Sequence, residues 1–213
     1  MWEQKCFYGG ILMIGCGLLL ISSARHTQME IQEKLESTVL RFHVLADSNE
    51  PVDQRLKREV RDALLKEIQP LLEAPLNLAE SKEILGKHLP ELTEVATKTL
   101  QQQNCETTVE VELTRNWFPV KQYGNLILPA GEYEALRVSI GQAAGENWWC
   151  MLFPTLCFIE ESYEIRTEDL ELLQENLTAE EFRQIWQDGE TQVKVKFWIW
   201  EKVEHFFQMR QHN

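Results

Sequence analysis

The sequence predicts an α+β fold: a single domain with a mixed or antiparallel sheet flanked by helices, preceded by an N-terminal signal or anchor segment. Three observations carry this. Apolar residues recur at three- and four-residue steps across 51–69 and again across 78–100, which is the helical period. They alternate with polar residues over 109–113, 136–140 and 193–199, which is the strand period. Helical and strand stretches do not interleave as regular βαβ units, so a doubly wound parallel fold is not indicated. A length of 213 residues fits one domain with a small appendage, and 44% hydrophobic content is enough for a core.

Residues 6–21, CFYGGILMIGCGLLLI, are sixteen uncharged positions behind Lys5, followed by Ser22, Ser23 and Ala24. A basic start, an apolar stretch and small residues are the layout of a secretory leader. The run is shorter than the ~20 residues a spanning helix wants, yet counting on to Ala24 leaves an uncleaved anchor open. Residues 1–24 are therefore a signal peptide or a membrane anchor, and the exported domain lies within 36–205.

In the exported part, STVLRFHVLAD at 37–47 is β-branched and apolar and reads as a buried first strand. Ser48-Asn49-Glu50-Pro51 is a polar turn leading into a helix, with Val52, Leu56, Val60, Leu64 and Ile68 on one face. Pro70 and Pro75 mark its end. Leu78, Leu85, Leu89, Leu92, Ala96 and Leu100 form a second helical stripe, which Gly86 and Pro90 are expected to split in two. Val109, Val111 and Leu113 begin a strand that ends at Asn116-Trp117-Phe118-Pro119. Residues 125–128 make a short apolar run before the turn Pro129-Ala130-Gly131. A further strand follows, then a turn bracketed by Gly141 and Gly145, then the aromatic block NWWCMLFPTLCF at 147–158. Thr178 and Glu181 have capping-box spacing, Leu177 and Phe182 that of a hydrophobic staple, and Gly189 is placed to stop that helix. Residues 193–199 read as a last strand.

Charge excludes two classes of partner. With 34 acidic and 21 basic side chains the net charge is −13. Phosphate backbones and anionic lipid surfaces both demand clustered Lys and Arg, so neither nucleic acid nor membrane-surface binding is indicated. Contact with a membrane is expected only through the N-terminal segment.

Catalytic chemistry finds little support. Glu132 and Glu134 lie an even number of residues apart and share a strand face, and such pairs can do acid–base or glycosidic work. Two solvated carboxylates, or one holding a nearby cation, fit the same spacing. A thiol nucleophile from Cys150 or Cys157 with His43, His88 or His205 as base has no local signature behind it. HExxH, EF-hand and CxxC patterns are absent, and Gly141–Gly145 lacks the Lys-Ser/Thr of a P-loop, so no metal or cofactor is expected. Cys150 and Cys157 are spaced for a short-loop disulfide contributing about 2.5 kcal/mol by chain entropy. Two buried thiols fit equally, whereas redox or zinc sites want other spacings. Trp148 and Trp149, being adjacent, point to opposite faces of any extended strand, so one of them is a candidate surface aromatic.

These residues carry a resemblance. LPAGEYEALRVSIGQAAGENWWCMLFPTLCF at 128–158 resembles the signature of the stage II sporulation protein R family of endospore formers. RFHVLADSNEPVDQRLKREVRDALL at 41–65 is similar to its N-terminal motif. The alternation at 109–112, and Phe118-Pro119 ahead of Tyr123-Gly124, match as well. Asp47 and Asn49 stand in swapped order relative to the commoner turn, and Thr155 occupies a place where proline is frequent. The resemblance implies a signalling ligand rather than an enzyme. Such a protein is exported from the forespore into the space between forespore and mother-cell membranes. There it triggers a membrane-embedded aspartic protease of the mother cell that cleaves the pro-form of sigma-E. The face expected to meet that protease comprises Pro129, Gly131, Glu132, Tyr133, Trp148, Trp149, Phe153 and Pro154. The competing expectations are an exported hydrolase using Glu132 and Glu134, and an exported inhibitor or assembly factor.

Overall fold

The computed structural model describes residues 29–73, 77–154 and 167–187. A helix, α1, runs through residues 29–38. It is followed by β1 (Leu40–Leu45), α2 (Pro51–Leu71), α3 (Leu78–Gln102), β2 (Val109–Phe118), β3 (Lys121–Tyr123) and β4 (Leu126–Leu128). The described elements close with β5 (Gly131–Ile140), β6 (Asn147–Phe153), α4 (Thr167–Asn176) and α5 (Ala179–Ile185).

The main sheet is mixed, with strand order β2-β5-β1-β6. β1 lies parallel to β5 and antiparallel to β6, while β2 and β5 are antiparallel across ten residue pairs. β5 can lie parallel to β1 because α2 and α3 return the chain to the end where β1 stops and β2 then carries it back to the end where β1 begins, completing the long connection that parallel strands require. β1 is central, and Leu40, Arg41, Phe42 and Val44 are wholly buried, as in a strand covered on both faces.

Two cores sandwich this sheet. Phe42, Val44, Leu136, Val138, Cys150 and Leu152 pack with the buried stripe Leu56-Val60-Leu64-Ile68 of α2 and with Leu85, Leu92, Ala96 and Leu100 of α3. On the other side Tyr133, Ala135, Met151 and Phe118 join Ile31 and Leu35 of α1, Leu126 and Leu128 of β4, and Leu173, Leu177 and Ile185 of the α4–α5 pair. Side-chain alternation along each strand feeds both cores at once. At ~25 cal/mol per Å2, each fully buried Leu or Val contributes roughly 1.5–3 kcal/mol.

Local signals explain most boundaries. Asn77 caps α3, its Oδ1 accepting from the Glu80 amide at 2.9 Å. Thr178 and Glu181 form the expected reciprocal capping box. Glu181 also takes both of its oxygens to 2.7 Å from Lys34 Nζ, joining α5 to α1. Three outcomes differ from expectation. The first strand begins at Leu40 rather than Ser37, because the Ser37 and Thr38 hydroxyls turn back onto the Lys34 carbonyl and close α1. β2 runs on through Asn116 and Trp117 to Phe118, paired with β5 throughout. And α3 is one continuous helix rather than two. The carbonyl that Pro90 leaves unpaired and its ring crowds is that of Gly86, four residues earlier, where the absent side chain lets the backbone yield. The leader, Gly189 and the strand expected over 193–199 lie outside the described residues. Among the described residues, no helix is long and apolar enough to cross a membrane.

Candidate functional site

The two stretches that carry the sequence signature meet at one end of the sheet. After β1 the chain makes the turn Ala46–Glu50, and after β5 it makes the turn Gly141–Glu146; the two turns are bonded to each other. Asp47 Oδ1 accepts from the Gln142 amide at 2.7 Å, and Asn49 Oδ1 accepts from the Glu146 amide at 2.7 Å. Backbone bonds run from Ala144 to the Asp47 carbonyl at 3.1 Å and from Gly145 to the Ala46 carbonyl at 2.9 Å. Lys57, buried on α2, donates from Nζ to the Glu146 carbonyl at 2.8 Å and to Gln54 Oε1 at 2.6 Å. Burial pushes its ammonium pKa down, with the Glu146 charge opposing. Ser48 completes the lock by donating to Asp53 Oδ2 and accepting from the Glu50 amide at 3.0 Å. Side-chain carboxylate and amide oxygens thus satisfy turn amides that would otherwise compete for water.

Two glycines make this closeness attainable. Gly141 has φ +57°. At Gly145 a Cβ would overlap the Ser48 carbonyl oxygen. Gly145→Ala should therefore destabilise the fold by about 1–3 kcal/mol through overpacking. Urea denaturation would read this as a lower midpoint with an unchanged slope, and an unchanged midpoint would show that the two turns are not held together.

Beyond the turn, β6 presents the tandem tryptophans to opposite faces. Trp148 stands edge-on to Phe42 at 5.8 Å, with the Arg61 guanidinium of α2 4.8 Å from its ring centre. Trp149 stacks on His43 at 5.1 Å and 12°, and meets Phe118 edge-on at 4.8 Å. Both are half-buried. Below Trp149 lies a cation no sequence signal singled out. Arg41 is wholly buried, its guanidinium 4.4 Å from the Phe118 ring centre, 4.9 Å from Tyr133 and 5.7 Å from Tyr123. Nε donates to the Cys150 carbonyl at 3.3 Å and Nη2 to the Tyr123 hydroxyl at 3.1 Å, while Nη1 has no hydrogen-bond partner. Burial lowers the guanidinium pKa, opposed by Tyr123 and Tyr133, and raises that of Tyr133 to about 12. The available hint in the sequence was an Arg and a His at alternate places in an otherwise apolar strand.

The expected contact residues do not form one surface. Tyr133 and Phe153 are buried, and the Tyr133 hydroxyl donates to the Pro129 carbonyl at 2.8 Å, fixing the turn before β5. Pro154 is buried behind a cis peptide bond. Pro129, Gly131 and the exposed Glu132 sit at the start of β5, while Trp148 and Trp149 begin β6. β1 pairs its first residue, Leu40, with Glu134 and its last, Leu45, with Asn147, so the two groups lie toward opposite ends of the sheet.

The residues of the catalytic alternatives sit in the following surroundings. Glu134 is held by Lys82 of α3 at 2.8 Å, the cation-holding role its spacing allowed. Glu132 stands exposed opposite Trp117. Cys150 is disulfide-bonded, which leaves it no thiol for nucleophilic attack; Cys157 lies outside the described residues. His88 is bonded through Nδ1 to the Ile84 carbonyl at 2.8 Å, and His205 lies outside the described residues. Among the described residues no group of three or more His, Cys, Asp or Glu could hold a metal ion. What this end of the molecule offers is a rigid, hydrogen-bonded surface with aromatic side chains beside it.

Comparison with known proteins concerns the same region. The family described as Stage II sporulation protein R matches residues 36–163, which includes both interlocked turns. The Stage II sporulation protein R of Bacillus subtilis (strain 168) is 31% identical over 216 aligned residues, covering 95% of this chain and 96% of its own. No solved structure matches.

Proposed function

Since the chain belongs to the stage II sporulation protein R family, and so to a sporulation pathway, we propose that it is the exported ligand that switches on a membrane-embedded aspartic protease of the mother cell, leading to processing of pro-sigma-E. The protein leaves the forespore through its N-terminal segment and acts in the space between the two membranes. It performs no chemistry itself. The observation that carries this reading is the mutual locking of the two signature stretches. The Ala46–Glu50 turn and the Gly141–Glu146 turn spend their polar groups on each other's backbone and on Lys57. That arrangement preserves a shape, as a recognition surface requires, whereas an acid–base site leaves such groups available to substrate.

A ligand can act only by binding one state of its receptor more tightly than the other. A rigid contact surface helps, because little ordering entropy is then lost on binding. Co-expression in a non-sporulating bacterium tests the proposal. The full-length chain, the protease and pro-sigma-E together should yield the shortened sigma factor, and omission of this chain should abolish it. Absence of the product with all three present, while the protease responds to a known activator, contradicts the proposal for this pair.

A further inference from the structure

β2 is an outer strand of the main sheet, and the phase of its ladder with β5 fixes which of its backbone groups face outward. The Gly141 amide donates to the Thr108 carbonyl at 2.8 Å. From there the register continues without a shift, Val109 opposite Ile140 and Glu110 opposite Ser139. Directly bonded pairs alternate with non-bonded ones in an antiparallel ladder. Glu110, Glu112, Thr114 and Asn116 therefore bond to β5, whereas Val109, Val111, Leu113, Arg115 and Trp117 turn their N–H and C=O groups away from it. Among the described residues no strand receives those groups. A ten-residue edge of this kind is a template for a further strand.

The side chains along this edge specify what fits it. On one face Val109, Val111 and Leu113 pack against the core of α2 and α3, with Val109 and Leu113 only half-buried. A groove of about 520 Å3, lined by Thr97 and Gln101 of α3 and by Cys105, Glu106 and Thr107, continues that row past Val109. The other face carries two acids. Glu110 is exposed and makes no ion pair among the described residues; Glu112 stays 40% exposed, with Arg137 no nearer than 3.6 Å. The complement is a strand that alternates apolar and basic residues and brings bulky apolar side chains to the groove. Among the described outer strands β2 alone offers acids in alternation, since β3, β4 and β6 contain none.

This chain carries that pattern in its own C-terminal stretch, where Val193, Val195, Phe197 and Ile199 alternate with Lys194, Lys196 and Trp198. We infer that residues 193–199 add to the outer edge of β2 as an antiparallel strand, with Val195 opposite Val111. Lys194 then faces Glu112 and Lys196 faces Glu110, while Phe197 lies beside Val109 and Ile199 reaches the groove at Thr107. The parallel direction would pair the charges equally well but would send the smaller Val193 and Thr191 to the groove. Reach is sufficient. The Gln187 amide is held by the Asn125 carbonyl at 2.7 Å, next to Leu126, which packs against the sheet. Six residues onward span up to ~20 Å, more than the ~15 Å across four strands. The pairing closes an edge that would otherwise invite association with other chains.

Hydrogen exchange of the purified full-length chain, read amide by amide, tests this. In wild type the outward amides of Val109, Val111 and Leu113 should be protected. Val195→Pro removes a ladder donor and should speed their exchange at least about tenfold. Lys194→Glu with Lys196→Glu should also speed it, and adding Glu110→Lys with Glu112→Lys should restore protection by reversing both sides of the pairing. Amides at 110 and 112 are bonded to β5 and should exchange alike in every variant, which confirms that the sheet stays folded. Outward amides that exchange in wild type as fast as in an unfolded peptide would overturn the inference. Protection that Val195→Pro and the lysine reversal both leave unchanged would overturn it too, and a rise of that protection with protein concentration would assign the edge to a second copy instead.

Discussion

Replacing Arg41 by alanine should cost about 3–5 kcal/mol of stability, the largest effect of any single substitution considered. The side chain is wholly buried and fills the centre of an aromatic box. Truncation empties that volume and leaves the Cys150 carbonyl and the Tyr123 hydroxyl without their donor. For a chain of this size the loss corresponds to a drop in Tm of roughly 2–4 °C per kcal/mol. Two further variants separate packing from charge. Arg41→Met restores volume without a charge to desolvate and should recover much of the loss. Arg41→Lys keeps the charge but concentrates it on an ammonium that wants water and cannot serve both acceptors in one plane, so it should be destabilising. Methionine ranking below lysine would show that the cation itself, and not the filled space, holds the aromatic box together.

The second large effect is an acid transition centred on His43. Its Nε2 meets Asn116 Oδ1 at 3.1 Å, and Nδ1 is buried without a hydrogen-bond partner. Trp149 and Phe118 pack against the ring. Burial pushes its pKa down to about 4, with Arg137 and Arg41 adding to the shift and the Asn116 bond opposing it. The folded chain thus refuses a proton that the unfolded chain accepts below its ordinary 6.5. The unfolded state binds more protons in that window, so stability rises with pH there. The contribution is fully present above pH 6.5 and is lost as pH falls toward 4, about 3 kcal/mol in all and about 2 kcal/mol between pH 7.5 and 5. Urea midpoints for wild type and His43→Gln should converge as the pH is lowered across that interval; parallel pH profiles would contradict the buried neutral imidazole. Glu181 is held at about 2 by Lys34 and the Thr178 amide. Its contribution, present above the ordinary carboxylate range, is lost only as pH falls further, so it does not blur the test.

Both effects arise where sequence reading is weakest. The stripe Leu56-Val60-Leu64-Ile68 and the alternation Leu136-Val138-Ile140 declare helix and strand because each residue follows a local period. The Thr178–Glu181 box is legible for the same reason, being four residues long. Arg41 and His43 are different. Their environment is built by Phe118, Tyr123, Tyr133 and Trp149 from four other strands, and no local pattern states that those strands converge. Pro90 and Gly86 each read as a helix breaker, and only their four-residue separation, placing the flexible residue under the ring, explains why α3 continues.

The same division runs through the candidate site. The opposite orientations of Trp148 and Trp149 follow from adjacency on a strand. That Asp47 and Asn49 bond to a turn some 95 residues away could not follow from any spacing, although the family resemblance had already picked out both stretches. Trp117 was read as the end of a strand because Asn116 and Pro119 flank it, and its exposure emerged only once β5 was seen to pair along the whole of β2.

The most direct test of the central claim supplies the protein from one side of a membrane only. Proteoliposomes would carry the protease with its extracytoplasmic face outward and pro-sigma-E sealed inside, and the purified chain would be added to the outside. The account predicts that cleavage of the enclosed substrate begins on addition and saturates with concentration. Cleavage that proceeds equally without the added chain, or that fails to start although the chain is folded and the protease is competent, would contradict it.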